Sequence, residues 1–194
     1  MNIALRTLGF GVLFLSLTGC GGLKRLNQLD SSPNGYSMYR SGQPDEGDVE
    51  EICELGVTKI YALNGEGGKY AAKLKEKCPS AEIVYDTLQD PGTSVSSEFL
   101  DAFDRSVEEA RAAGKGILFH CSCGCHRTGR LAAYYRMKYQ GWNSEAAIEE
   151  MNDIGDDMDQ HPSLPTQVRG LEDYILQRAC SGPAQFCISR APNS

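Results

Sequence analysis

Apolar positions along this 194-residue chain switch repeatedly between a helical and an extended spacing. Val49, Ile52 and Leu55 fall on one helical face, and Gly56 supplies a C-terminal stop. Val57 to Leu63 then reads as a strand, Tyr70 to Lys77 as a helix and Ala81 to Tyr85 as a strand. Phe99, Ala102, Phe103, Val107 and Ala110 mark an amphipathic helix that ends near Gly114. Gly116 to His120 is the next strand, and Thr128 to Tyr139 the next helix, stopped by Gly141. Two further helices are predicted near 144–152 and 165–178. Helices alternating with short apolar strands predict an α/β fold, with a central, mostly parallel sheet flanked by helices. No internal repeat is present.

Before residue 39 the pattern is different. Arg6 precedes an apolar run from Leu8 to Leu17 that is too short to span a bilayer. It closes on Leu17-Thr18-Gly19-Cys20, which looks like a bacterial lipoprotein signal. Residues 1–19 are therefore expected to be a signal peptide, with lipidation at Cys20; an ordinary signal peptide is the alternative. Gly21, rather than Asp, resembles the pattern of lipoproteins sent on to an outer membrane. The chain is expected to be exported and held at a bacterial membrane by its lipid, with the folded domain in the periplasm or at the cell surface. Residues 20–38 are polar and turn-rich and read as a tether. The domain itself is placed at 39–179, and 180–194 is a C-terminal tail.

Charge narrows the partners. Lys and Arg total 19 against 26 Asp and Glu, a net charge of −7, which argues against generic nucleic-acid binding, and no nucleic-acid partner is expected. A polyanionic substrate would need a local positive pocket on an acidic whole. The domain is expected to be a monomer. Eight cysteines stand at 20, 53, 78, 121, 123, 125, 180 and 187. In an oxidising compartment Cys180 and Cys187 are expected to form a small-loop disulfide, while Cys53 and Cys78 pair or are buried singly.

The chemistry lies at the turn after the strand 116–120. His120-Cys121-Ser122-Cys123-Gly124-Cys125-His126-Arg127-Thr128-Gly129-Arg130 leads directly into the helix 128–139. A free thiol has a pKa of about 8.5 and reacts poorly at neutral pH. A helix N-terminus and a run of loop amides would make Cys121 a thiolate inside an anion-binding cup. Gly124 allows torsions that other residues resist. Ser122, Cys123, Gly124, Cys125 and His126 form the cup wall. Arg127, where loop meets helix, can grip two phosphate oxygens and stabilise charge as phosphoryl moves. Thr128 can hydrogen-bond the sulfur and ease its departure. His120 is read as a loop-bracing hydrogen bonder that tunes the thiolate.

The leaving oxygen needs a proton. Asp86 and Asp90 both follow the strand 81–85. Asp90 is preferred, because Gln89-Asp90-Pro91-Gly92 reads as a tight turn able to swing over a substrate. Asp86 is the alternative. Further positive charge is sought in Arg40, Lys69 and Arg130, although Arg130 is expected to point along its helix.

His-Cys-x-x-Gly-x-x-Arg-Thr-Gly at 120–129 resembles the signature of the cysteine-dependent protein tyrosine phosphatase superfamily. Tyr39-Arg40-Ser41-Gly42-Gln43-Pro44 is similar to the opening of its small bacterial dual-specificity-like members, so the resemblance covers about 39–178. It implies Cys121 as nucleophile, Arg127 as phosphate ligand, Asp90 or Asp86 as general acid, and no metal or other cofactor. Cys-Gly-Cys-His-Arg-Thr-Gly at 123–129 is also similar to the Gly-Lys-His-Arg-Thr-Gly turn of plant and fungal atypical dual-specificity phosphatases, which act on inositol polyphosphates. Bacterial cysteine phytases likewise carry an Arg-Thr ending. This chain departs from both in placing Cys123 and Cys125 where they have lysine or small residues, so the extra positive charge is missing, and a protonated His126 would replace only part of it.

The leading expectation is a phosphomonoesterase acting on inositol polyphosphates, such as inositol hexakisphosphate, outside the cytoplasm. A protein tyrosine or dual-specificity phosphatase is the second reading. A soft-metal site at Cys121, Cys123, Cys125 and His126, and an inactive phosphate-binding module, are the readings from other classes. Asp153, Asp156, Asp157 and Asp159 lack the glycine and closing glutamate of an EF-hand and read as a solvated turn. Residues 64–69 lack the spacing of a nucleotide-binding loop.

Overall fold

A computed structural model describes residues 22–189. Cys20 and the apolar leader lie outside them. Five strands form one sheet: β1 (Asn27–Ser31), β2 (Ser37–Ser41), β3 (Val57–Ala62), β4 (Glu82–Asp86) and β5 (Gly116–His120). Their spatial order is β1-β2-β5-β3-β4. β1 and β2 are an antiparallel hairpin, and every other pairing is parallel.

Six helices cover the sheet: α1 (Val49–Glu54), α2 (Ala71–Lys77), α3 (Ser97–Ala113), α4 (His126–Gln140), α5 (Ser144–Ile154) and α6 (Leu164–Ile175). The alternation of side chains along each strand decides which helix meets which face. Leu118 of β5 and Ile60 of β3 face α1 and α2, packing with Val49, Ile52, Tyr70 and Leu74. Ile117, Phe119 and Tyr61 face the other way, against Phe103, Val107, Leu131 and Tyr134 of α3 and α4. Covered on both faces, β5 is buried along its whole length. That explains its unbroken apolar run.

The helix ends follow their residues. Ser96 accepts from the Phe99 amide and caps α3, and the Asn143 side chain does the same for α5. Gly114 and Gly141 stop α3 and α4 in left-handed conformation, at φ 63° and 73°.

One boundary moves. Residues 27–38, assigned to the tether, supply β1 and the start of β2. In β1 only Leu29 is buried, so the strand shows no apolar alternation to read. It is held by polar contacts instead. Asp30 Oδ2 accepts from Tyr135 Oη at 2.5 Å and from Arg111 Nη2 at 2.9 Å. At the other end the tail is docked. Ser181 donates through its amide and hydroxyl to Asp173 of α6, and Ile188 packs against the core. Disulfides join Cys53 to Cys78 and Cys180 to Cys187, with Cα separations of 5.6 and 5.8 Å. No described helix is long and apolar enough to cross a membrane.

Candidate active site

β5 lies between β2 and β3, and the chain leaves its C-terminal end at His120 to form the turn 121–125 before α4 begins. The C-terminal ends of parallel strands are where open α/β sheets hold ligands. The turn is packed tightly on the end of β2. Gly124 has φ 81°, and a Cβ on it would lie 2.7 Å from the Gly42 nitrogen and 2.8 Å from the Ser41 carbonyl oxygen. Only glycine fits there. The Gln43 amide donates to the Ser122 carbonyl at 3.1 Å.

Arg40 is fully buried under the turn, and its Nη2 donates to the Gly124 carbonyl at 2.8 Å. It therefore supports the loop from behind and does not reach a substrate, contrary to its assignment as a substrate ligand. The strand period decides this: Arg40 points from β2 toward the loop's inner side.

Cys121 sits at the floor with no exposed surface. Its thiol is pulled down to about pKa 4, first by a hydrogen bond from Cys123 and then by Thr128 and the Gly124 backbone, against the opposing effect of burial. Cys123 moves the other way, pushed up because it is the partner that keeps its proton, with burial adding to the effect. The Cys123 sulfur also accepts from the Cys125 amide at 3.0 Å and lies 3.8 Å from His126 Nδ1. The Thr128 hydroxyl is buried and has no nitrogen or oxygen partner among the described residues. Cys125 is buried at the N-cap of α4.

His120 is buried beneath the turn with Nε2 2.7 Å from Tyr70 Oη. Burial lowers its pKa to about 3, so the ring is neutral at physiological pH. Arg127 donates weakly from Nη1 to the Leu63 carbonyl at 3.5 Å, and its Nε is buried without a partner among the described residues. Its fork thus retains donors for an anion.

Ser122 is exposed beside a cleft of about 500 Å³ lined also by Lys24, Gln43, Asp45, Glu46 and Lys69. The Asn64 side chain braces this wall, donating to Gln43 Oε1 at 2.6 Å and Ser122 Oγ at 3.4 Å. Lys69 does reach the rim, but it is paired with Glu66 at 2.8 Å. Lys24 reaches the same cleft; sequence reasoning placed it in the tether and missed it.

The two candidate acids part company. Asp86 ends β4, and its Oδ1 accepts from the Gly67 amide at 2.9 Å, so it caps the 64–69 loop. Asp90 is exposed, and its Oδ1 accepts only from Gly92 of its own turn, at 2.7 Å. Burial lowers the pKa of both Arg130 and His161, and the charge of the facing Asp90 offsets part of that effect. The expected swing of this turn is opposed by Arg130. Far from pointing along its helix, Arg130 is buried and donates into residues 89–93. Gln167 of α6 joins it, donating to the Pro91 carbonyl at 2.8 Å. Sequence reasoning sought Arg130 only as positive charge and did not single out Gln167, because both act across the fold.

His126 lies on the outer side of the loop, its Nε2 2.8 Å from the Asp156 carbonyl and its ring 4.0 Å from that of His161. Asp156 itself pairs with Arg25 at 2.8 Å. Among the described residues, no group of three or more His, Cys, Asp or Glu side chains is placed to hold a metal ion.

A thiolate at the N-terminus of a helix, with an arginine fork two positions into that helix, can bind a phosphate and attack it. This fold and this loop define a cysteine-dependent phosphatase. Residues 63–173 match the family model for the dual specificity phosphatase catalytic domain. The chain is 31% identical over 171 residues to the dual specificity protein phosphatase TpbA of Pseudomonas aeruginosa, covering 82% of this chain and 74% of that one. The crystal structure of P. aeruginosa TpbA superposes with a TM-score of 0.57 at 27% identity, over 72% of this chain and 86% of the other. The core catalytic domain of the S. cerevisiae PP-IP phosphatase SIW14 shares the fold, with a TM-score of 0.62 at 19% identity, covering 80% and 90%. The chain belongs to the dual specificity phosphatase family, within the cysteine-dependent protein tyrosine phosphatase superfamily.

Proposed function

We propose that this enzyme hydrolyses phosphomonoesters bearing one phosphate on a protein or aryl group, phosphotyrosine foremost, through a cysteinyl-phosphate. The observation that carries the mechanism is the Cys121 thiol, held near pKa 4 at the floor of the turn. Its thiolate attacks phosphorus as the bond to the leaving oxygen breaks. Arg127 binds two of the non-bridging oxygens and stabilises the charge they share in the transition state. Asp90 gives its proton to the leaving oxygen. Water then attacks the phosphocysteine, the S–P bond breaks, and Asp90 takes the proton from that water. Thr128 stabilises the departing thiolate, and His120, neutral and braced by Tyr70, keeps the turn in place.

Charge favours a substrate with a single phosphate over inositol hexakisphosphate. Of the cations the sequence offers near the loop, Arg40 and Arg130 are buried and Lys69 is paired with Glu66. The adjoining cleft sets Asp45 and Glu46 beside Lys24 and Lys69. One phosphate is served by the loop and Arg127; the others of a hexakisphosphate would meet carboxylates. The likeness to TpbA supports the same reading, since a cysteine-to-serine variant of TpbA has been crystallised with phosphotyrosine.

Phosphate release from a phosphotyrosine peptide, an aryl phosphate and inositol hexakisphosphate, measured side by side, tests the substrate class. The aryl and tyrosine esters are expected to turn over fastest, and a clear preference for the hexakisphosphate overturns the reading. Cys121→Ser is expected to lose turnover by at least about 10³-fold while still binding substrate; retained turnover would falsify the mechanism.

We also propose that the domain works outside the cytoplasm on a lipid anchor at Cys20. The Leu17-Thr18-Gly19-Cys20 sequence supports this, as do the two disulfides, which persist in oxidising compartments. Radiolabelled palmitate should enter the wild-type chain and be absent from Cys20→Ser, which should leave the membrane fraction. Equal labelling of both chains counts against the anchor.

A further inference from the structure

Arg130 is among the most deeply buried side chains of the molecule, yet none of its hydrogen-bond partners is a carboxylate. Its Nη1 donates to the Thr93 carbonyl, to Gln167 Oε1 and, at 3.4 Å, to the Asp90 carbonyl. Its Nη2 donates to Gln89 Oε1 at 3.0 Å. Gln167 completes the set, with Nε2 donating to the Pro91 carbonyl at 2.8 Å and to Ser163 Oγ at 3.0 Å. The carbonyls of Asp90, Pro91 and Thr93 and the side chain of Gln89 are thus all tied to α4 and α6, while the Asp90 carboxylate stays exposed.

A buried cation with neutral partners is costly, and an apolar side chain of similar size would fill the space with less penalty. What the guanidinium adds is reach and planarity, with donors in a fixed fork that can span several acceptors at once. Its place on the helix matters as much. Arg130 lies one helical turn after Arg127, so a single rigid element carries both the phosphate-gripping arginine and the anchor of the turn that holds Asp90.

We infer that Arg130, assisted by Gln167, is a positioning residue that fixes the Asp90 turn at the height above the phosphate loop where its carboxyl can protonate the leaving oxygen. This rests on the reading of Asp90 as the general acid. The function assigned is orientation: Arg130 does not touch the substrate. A protonated leaving group matters most for esters of weakly acidic alcohols, so loss of positioning has a signature that simple loss of stability lacks.

The test compares kcat/KM for p-nitrophenyl phosphate, a good leaving group, with that for phenyl phosphate, a poor one, on the full-length enzyme. Asp90→Asn should lose about 10²-fold more on the poor leaving group than on the good one, and should remove the basic limb of the pH profile. Arg130→Met should show the same selective loss at about tenfold or more, with a weakened basic limb, and little further loss when combined with Asp90→Asn. Gln167→Met leaves the cation in place and should give a smaller loss of the same selectivity. It carries the test by itself if Arg130→Met does not fold. Equal losses on both substrates, or losses that multiply with Asp90→Asn, overturn the positioning role. If Asp90→Asn itself shows no leaving-group selectivity, the acid assignment fails first, and that result is distinguishable because it needs no variant at 130 or 167.

Discussion

Cys123 stands two positions along the loop from Cys121, and its thiol donates to the Cys121 sulfur. That hydrogen bond is the first cause of the low Cys121 pKa, ahead of Thr128 and the loop amides. A lowered thiol pKa means that the thiolate persists to acid pH and is lost only as pH falls through about 4. Alkylation of Cys121 by iodoacetate should therefore remain fast at pH 6 and fall off toward pH 4. Cys123→Ala removes the donor, so the same fall-off should move to higher pH, with kcat/KM losing activity at the acid end and changing little near neutrality. An unmoved profile would show that the loop amides and Thr128 suffice. Neither cysteine at 123 nor 125 could be given this role from sequence, since the direction of a thiol depends on the fold of the turn.

At the scale of the element, the turn 121–125 and the end of β2 form one unit. Gly124 meets the backbone of Ser41 and Gly42 at distances no Cβ tolerates, and it does so at positive φ. Backbone atoms cannot step aside as a flexible side chain would. Gly124→Ala should push the loop away from β2, separate the Gly124 carbonyl from Arg40 and spoil the cup. Overpacking and the strained torsion together should cost about 2–4 kcal/mol, and kcat/KM should fall by more than about 10²-fold. Thermal unfolding and phosphatase assays on the same preparation measure both. Full activity in the variant would mean that the loop moves without loss. The hairpin that supports this unit was only half legible. Tyr39 to Pro44 stands out as a motif, but β1 has one buried apolar residue and gains its place through Asp30, Tyr135 and Arg111. Polar contacts between residues about a hundred positions apart leave no periodicity to find.

The whole molecule carries its catalytic loop between two helical layers, and each layer has a covalent tie near it. Cys53–Cys78 links α1 to the end of α2 across 25 residues of chain, and Cys180–Cys187 closes the segment docked on α6. Closing a loop of that length restricts the unfolded chain by roughly 3 kcal/mol. The double variant Cys53→Ala, Cys78→Ala should therefore unfold at a midpoint lower by about 6–12 °C, at about 2–4 °C per kcal/mol for a domain of this size. The free thiols at 121, 123 and 125 stay as they are, so activity at low temperature should be kept. A midpoint unchanged in the variant would show that the bond adds no stability.

Sequence by itself determined the reaction class, the parallel strands and the order of the helices. Those follow from local rules: apolar spacing sets a strand or a helix, and a cysteine, five residues and an arginine between them set a phosphate cup. Tertiary structure decided the rest. It turned Arg40 inward beneath the loop and tied Arg130 to the turn that carries Asp90. It gave Asp86 to the Gly67 amide while leaving the Asp90 carboxylate open, and it set carboxylates beside the rim lysines. The physical reason is common to all four. A charged side chain's role depends on which partner it finds and on whether water is excluded, and both are set by residues distant in the chain.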